Sequence, residues 1–241
     1  PNARPGLNRT VWDLRHTASR TPRLRTPALE HSHADVGERG WRPPPDGGVV
    51  RPLAVPGRYR VRLLASGEER TAWLTVLQDP DSEASAADMQ AQLAMALELR
   101  EMTDSTAALI ERVEWTRKGL LDLQDRLSSE GGYDDLVAAG ERLEEALVTL
   151  EMRLFDLRLT GGSARQDTIR WPRQLYAKLT SLAGYISGSD HRPTEQAGEV
   201  RDRYRVELSS VLERWRELAS GELARFNRLL GERGLPPVVS Q

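Results

Sequence analysis

Four histidines are the first residues to test for metal or proton chemistry: His16, His31, His33 and His191. His31-Ser32-His33, with Asp35 close behind, gathers three ligand-type side chains. Zinc wants three or four ligands fixed by a scaffold, and this trio falls in a stretch with no periodicity. A di-metal helical protein uses Glu-x-x-His motifs facing its core, and no histidine falls in a helical pattern. Neighbouring acids occur at Asp134-Asp135 and Glu144-Glu145. A glycosidase needs two carboxylates converging on one bond, one of them in a pocket that raises its pKa. These acids fall on helix surfaces or near helix starts, where solvation or the helix dipole accounts for them. Nucleophile-elbow, phosphate-loop, dinucleotide and zincin motifs are absent. With no cysteine in the chain, thiolate chemistry and disulfides are excluded. The expectation is no catalytic residue, no cofactor and no metal.

The tryptophans offer contact rather than reaction. Trp12 and Trp73 sit on strand-like runs and are expected in the core or between modules. Trp115 lies off the apolar line of its helix, as a second packing face or an exposed anchor. Trp41 stands beside Pro43-Pro44-Pro45, as cover over the β part or as a contact residue. Trp41 and Trp115 are therefore the candidates for touching a partner.

The elements that must position these residues change character near residue 81. The 241 residues carry a net charge of -2 and 39% hydrophobic side chains. That balance gives no general pull toward nucleic acid or anionic lipid. No run approaches the roughly 20 apolar residues of a spanning helix. Residues 1–80 read as a β domain and 81–241 as four helices. Arg9–Arg15 opens the β part, and residues 16–48, rich in Pro, Gly and Arg, read as a long loop or crossover. In Arg58–Leu64, Tyr59, Val61 and Leu63 alternate with arginines, the pattern of a half-buried strand. Ser66-Gly67-Glu68 supplies a hairpin turn, and Thr71–Leu77 returns as the partner strand.

Ser85 and Asp88 fit the start of a long helix. Its apolar line runs Met95, Leu99, Met102, Thr106, Leu109, Val113, Thr116, Leu120, Leu123, Leu127, and Gly131-Gly132 stops it. Leu136 to Leu157 predicts a second helix ending at Thr160-Gly161-Gly162. Pro172 opens a third with Leu175, Leu179, Leu182 and Ile186. Thr194 caps a fourth carrying Val200, Tyr204, Leu208, Val211, Trp215, Leu218, Phe226 and Leu230, ended by Gly234. The fold class expected is α+β, mostly α: a partial immunoglobulin-like β domain followed by an up-down four-helix bundle.

Gly6-Leu7-Asn8-Arg9 with Trp12-Asp13-Leu14-Arg15, and Pro56–Leu63 closing at Leu77-Gln78-Asp79-Pro80, resemble the end of an immunoglobulin-like domain of the flagellar-hook-cap type. Such domains stand near the C-terminus of large bacterial proteins with sortilin-like or BNR-repeat β-propellers, often labelled glycosyl hydrolase. Arg165-Gln166-Asp167, Pro172 with Leu175 and Lys178-Leu179, Pro193–Ala197 and Gly234-Leu235-Pro236 are similar to the helical tail of those proteins. The resemblance implies further strands and a propeller upstream of Pro1, in an exported polypeptide whose chemistry belongs to the propeller. The Asp-box of such blades is missing: Ser66 to Trp73 imitates its ends without its Asp and Gly.

These readings converge on a non-catalytic structural and interaction module, docked to the propeller of its own polypeptide or to another protein. One alternative is part of a glycoside hydrolase whose catalytic residues lie upstream. Another is an accessory subunit of an envelope or membrane-associated assembly.

Overall fold

The computed structural model describes residues 6–31, 36–160 and 167–240. The chain is mostly helical, with one small antiparallel sheet. Strands β1 (Gly57–Ala65) and β2 (Glu68–Val76) form that sheet, and helices α1 (Ala86–Glu130), α2 (Asp134–Glu151), α3 (Asp167–Arg170), α4 (Leu175–Ile186), α5 (Glu195–Leu218) and α6 (Ala224–Glu232) follow. A single wide turn of π-helix, Ala219–Leu223, joins α5 to α6 without a break.

Helix α1 starts and stops where its residues dictate. The Ser85 hydroxyl accepts the Asp88 amide, and Gly131, at φ 72°, returns its amide to the Leu127 carbonyl. The ten residues of its apolar line are all buried. Thr194 caps α5 by accepting the Ala197 amide. The amide of Leu235 closes on Leu230 O across Gly234, whose φ is 68°.

Helix α2 is shorter than the apolar spacing predicts, ending at Glu151 although Leu154 and Leu157 are buried as expected. The cause lies in the hydrogen bonds. Carbonyls of Arg153 and Leu154, which a continuing helix would use internally, accept the amides of Leu175 and Tyr176 instead. These are the amides a helix start leaves without internal acceptors, so the end of α2 caps the start of α4. The two helices stack end to end, and the predicted start at Pro172 moves to Leu175. Gln92 reaches Ile186 O at the N-terminal end of α1, and Gln124 faces Val137 O near its C-terminal end. The pair α2–α4 thus tiles along α1, which at about 1.5 Å per residue is roughly 67 Å long. The rod α5–α6 packs against both.

Residues 14–31 and 36–54 form the two limbs of a ribbon. Its limbs meet at the isolated bridges Arg15–Leu53 and Leu24–Arg42 and through His16 N to Pro52 O and Ser19 N to Val50 O. Proline recurs at 22, 27, 43, 44, 45 and 52, which removes amide donors and keeps the ribbon from becoming a sheet. Two expectations change here. Residues 9–15 are not a strand, and Leu14 has a positive φ of 57°. The stretch 16–48 is irregular as expected, but its described residues are packed down rather than free, with Leu24 and Ala28 buried in or beside the core. Gly47, at φ 95°, lets the ribbon press on Tyr176: a Cβ there would lie 2.5 Å from the ring.

The hairpin turns at Ser66 and Gly67, both with positive φ, as a two-residue loop requires. Its residues are exposed apart from half-buried Tyr59 and Val76. Trp12 and Trp73, expected in the core, are 39% and 60% exposed. The core lies between the helices and the ribbon, not in the sheet. Replacing Leu120 by Ala should therefore cost roughly 2–5 kcal/mol in urea unfolding, and Val61→Thr within about 0.5 kcal/mol. Equal losses would place the hairpin in the core.

Candidate functional site

The densest arrangement of charge lies where the ribbon crosses α1 and the α2–α4 joint. Glu114 and Glu151 are both fully buried, and Arg117 is nearly so. Glu114 Oε2 accepts the backbone amides of Arg25 and Thr26, the latter at 2.7 Å. Its Oε1 accepts the Thr26 hydroxyl at 2.9 Å. Arg117 donates to Glu144 through Nε and Nη2 at 2.9 and 2.8 Å, and through Nη1 to Glu151 at 2.9 Å and Thr26 Oγ1 at 3.0 Å. Arg42, from the returning limb, donates to the carbonyls of Thr26 at 3.2 Å and Leu159 at 2.9 Å. Three carboxylates thus face two guanidinium groups.

That imbalance sets the proton content. Burial, reinforced by Glu114, pushes the Glu151 carboxyl well up from the ordinary range, and Arg117 only partly opposes it. Burial also acts against the charge on Arg117, but Glu151, Glu144 and Glu114 together outweigh it and raise its pKa. For Arg42 burial wins over Glu114 and Glu151, and its pKa is lowered. Glu151 Oε1 is buried without a hydrogen-bond partner, and the neighbouring Glu114 favours the protonated form of Glu151. Because both carboxylates are enclosed, no substrate reaches them in this conformation. Glu114 ties the ribbon to α1, and Glu151 ties the end of α2 to Arg117 of α1.

Two further contacts close the joint. Asp156, almost fully buried, takes a double hydrogen bond from Arg158 at 2.8 and 2.6 Å, and Arg158 stacks 3.6 Å from the centre of the Trp171 ring. The Tyr176 hydroxyl donates to Gly48 O at 3.0 Å, and burial pushes its pKa up to about 12.

The residues singled out in the sequence do not converge. His31 and His191 are exposed, His16 lies between the limbs of the ribbon, and His33 and Asp35 lie outside the described residues. Asp134 and Asp135 sit in the first turn of α2 as expected. Glu144, read as a surface acid, is half-buried and bound to Arg117. Trp115 is 43% exposed, with the Arg25 guanidinium 4.0 Å over its ring. It borders a groove of about 370 Å³ between α1 and residues 236–239. Trp41 is half-buried, with Arg23 5.1 Å from its ring. Trp115 therefore packs on the buried ribbon arginine Arg25, and Trp41 lies beside the exposed Arg23. Sequence reasoning missed Glu114, Arg117 and Glu151. Their signal was weak but present: Glu144 and Glu151 recur at i, i+7 beside the leucine line of α2.

An exposed face of the hairpin carries several apolar residues. Tyr59 pairs with Leu74, Val61 with Ala72 and Leu63 with Arg70, so these share one face. Val61, Leu63 and Leu74 are 48, 60 and 40% exposed. Trp12 meets Tyr59 edge to face with centroids 5.2 Å apart at the base of this face. The Tyr59 hydroxyl donates to Val55 O at 2.6 Å, which ties the hairpin to the ribbon.

Comparison of the chain with protein-family models, curated proteins and solved structures finds no match. No helix among the described residues is long and apolar enough to cross a membrane.

The raised Glu151 pKa has a sign. The folded state holds a proton that the unfolded state releases above the ordinary carboxyl range, so stability falls as pH rises toward the folded pKa. Urea midpoints from pH 5 to pH 9 should decline for the native chain and decline less for Glu151→Gln. Glu114→Ala, which strands the Arg25 and Thr26 amides and takes one of three carboxylates from Arg117, should cost roughly 3–5 kcal/mol at pH 7. An unchanged pH slope in Glu151→Gln would show that Glu151 is not the proton carrier.

Proposed function

We propose that the chain is a non-catalytic docking module: the helical body and ribbon are a rigid mount, and the hairpin is the part that docks. The observation that carries this is the placement of Val61, Leu63 and Leu74 on one exposed face of a sheet with only two strands. Isolated two-stranded hairpins are marginal in water, and an apolar face of this kind normally marks an interaction site. The natural cover is further β structure of the immunoglobulin-like kind, supplied by the polypeptide that carries this chain. In that reading the hairpin is the last part of a β domain that joins a propeller to the helices. The body that carries it is then three columns, α1, the stacked pair α2–α4 and the rod α5–α6, in place of the four alternating helices expected, since α2 and α4 run the same way. Export belongs to the same proposal and rests on the resemblance alone.

The glycosidase alternative needs two carboxylates open to a sugar. Glu114 and Glu151 are paired but sealed, and their bonds run to the ribbon and to Arg117. This supports the docking reading over a catalytic one.

Aryl glycosides and aryl esters should be hydrolysed no faster with the chain than in buffer. The native chain should bind an apolar dye, and Val61→Glu with Leu63→Glu should remove most of that binding while leaving the helical circular dichroism unchanged. Turnover that Glu114→Gln or Glu151→Gln abolishes would overturn the proposal. So would dye binding indifferent to the double substitution.

A further inference from the structure

The opposite face of the hairpin identifies the kind of strand that completes it. Arg58, Arg60 and Arg62 alternate along β1 on the face away from Tyr59, Val61 and Leu63. Successive members of that row are about 6.6–6.8 Å apart. Across the sheet they meet Thr75, Trp73 and Thr71, none of which is acidic. Arg58 lies 4.4 Å over the Trp73 ring, and Arg62 reaches Glu69 only at 3.7 Å with both side chains about half exposed. The sheet therefore leaves its arginine row without matching carboxylates at directly opposed positions. Among the described residues, the outer edge of β1 pairs with no strand.

We propose that the outer edge of β1 takes up an extended segment in which acidic residues alternate with apolar ones. This rests on the docking reading above and names its partner chemistry. A strand added there hydrogen-bonds through its backbone and sets its side chains directly opposite those of β1, with Cβ atoms about 4.5–5.5 Å apart. Its positions facing Arg58, Arg60 and Arg62 are Asp or Glu, and the intervening ones are apolar and extend the Tyr59–Val61–Leu63 face. The period of a strand makes the two patterns inseparable, since one register serves both faces. A second copy of this chain is a poor occupant. Antiparallel pairing of two β1 edges sets arginine against arginine, and like charges directly opposed disfavour the pair. The same row guards the edge against self-association and selects an acidic partner.

The test uses the full chain and three synthetic nine-residue peptides, alternating valine with glutamate, with glutamine or with lysine, titrated calorimetrically at low and moderate salt. The glutamate peptide should bind, weaken as salt rises, and bind roughly tenfold better than the glutamine peptide. Arg60→Glu, at an exposed position, should weaken it roughly tenfold and favour the lysine peptide. Arg126→Glu, a charge change on α1 away from the hairpin, should leave it unchanged. Equal binding of the glutamate and glutamine peptides would overturn the acidic assignment and leave the docking reading standing. Binding of neither would overturn both. Loss on Arg126→Glu equal to that on Arg60→Glu would also overturn it, as general charge attraction.

Discussion

Where α2 stops at Glu151, the chain opens a joint in the middle of its helical body, and every polar group at that joint must find a partner away from water. Backbone answers part of the demand, since carbonyls of Arg153 and Leu154 serve the first amides of α4. The ribbon answers much of the rest, leaving Arg42 Nη2, Glu144 Oε2 and Glu151 Oε1 buried without a partner. Glu114 fixes the amides of Arg25 and Thr26, Arg117 bridges Glu144 and Glu151, and Arg42 binds Leu159 O from the far limb. A buried carboxylate without such partners is costly. The ribbon and the joint therefore stabilise each other, and neither is satisfied alone.

This arrangement explains why a proline-rich segment with almost no regular structure can serve as a mount. Its prolines lower the entropy of the unfolded chain, and its amides are directed to Glu114, to Asp104, to Leu157 O and to the opposite limb. Tyr176 over Gly47 and the Asp156–Arg158–Trp171 stack complete the seal. From that fixed base the hairpin rises at Val55 and Tyr59 with one apolar and one arginine face. The packed body and the exposed hairpin are thus separate, which suits the docking role proposed above.

Much of the helical half was legible because local and tertiary demands agree there. Ser85, Gly131, Thr194 and Gly234 end helices by their own chemistry, and the Met95–Leu127 line has one face to bury. The end of α2 was not legible, because Leu154 and Leu157 keep helical spacing while serving a turn. Glu114, Arg117 and Glu151 read as the ordinary charged flank of a helix; only the ribbon, a segment about ninety residues away in sequence, turns that flank inward. The hairpin turn could be read at Ser66-Gly67, but its exposure could not, since alternation marks a strand made to be covered and says nothing of when the cover arrives. The tryptophans misled for a related reason: Trp12 and Trp73 have the pattern of core residues and lie on the open surface.

The central claim is that the ribbon is clamped to the helices through the Arg25 and Thr26 amides. Hydrogen exchange of those two amides in the native chain tests it most directly. Protection comparable to that of the buried amides of α1, lost on Glu114→Gln while α1 stays protected, is the result this structure predicts. Exchange of both amides at the rate of an unfolded peptide in the native chain would contradict it, and the hairpin would then have no fixed base.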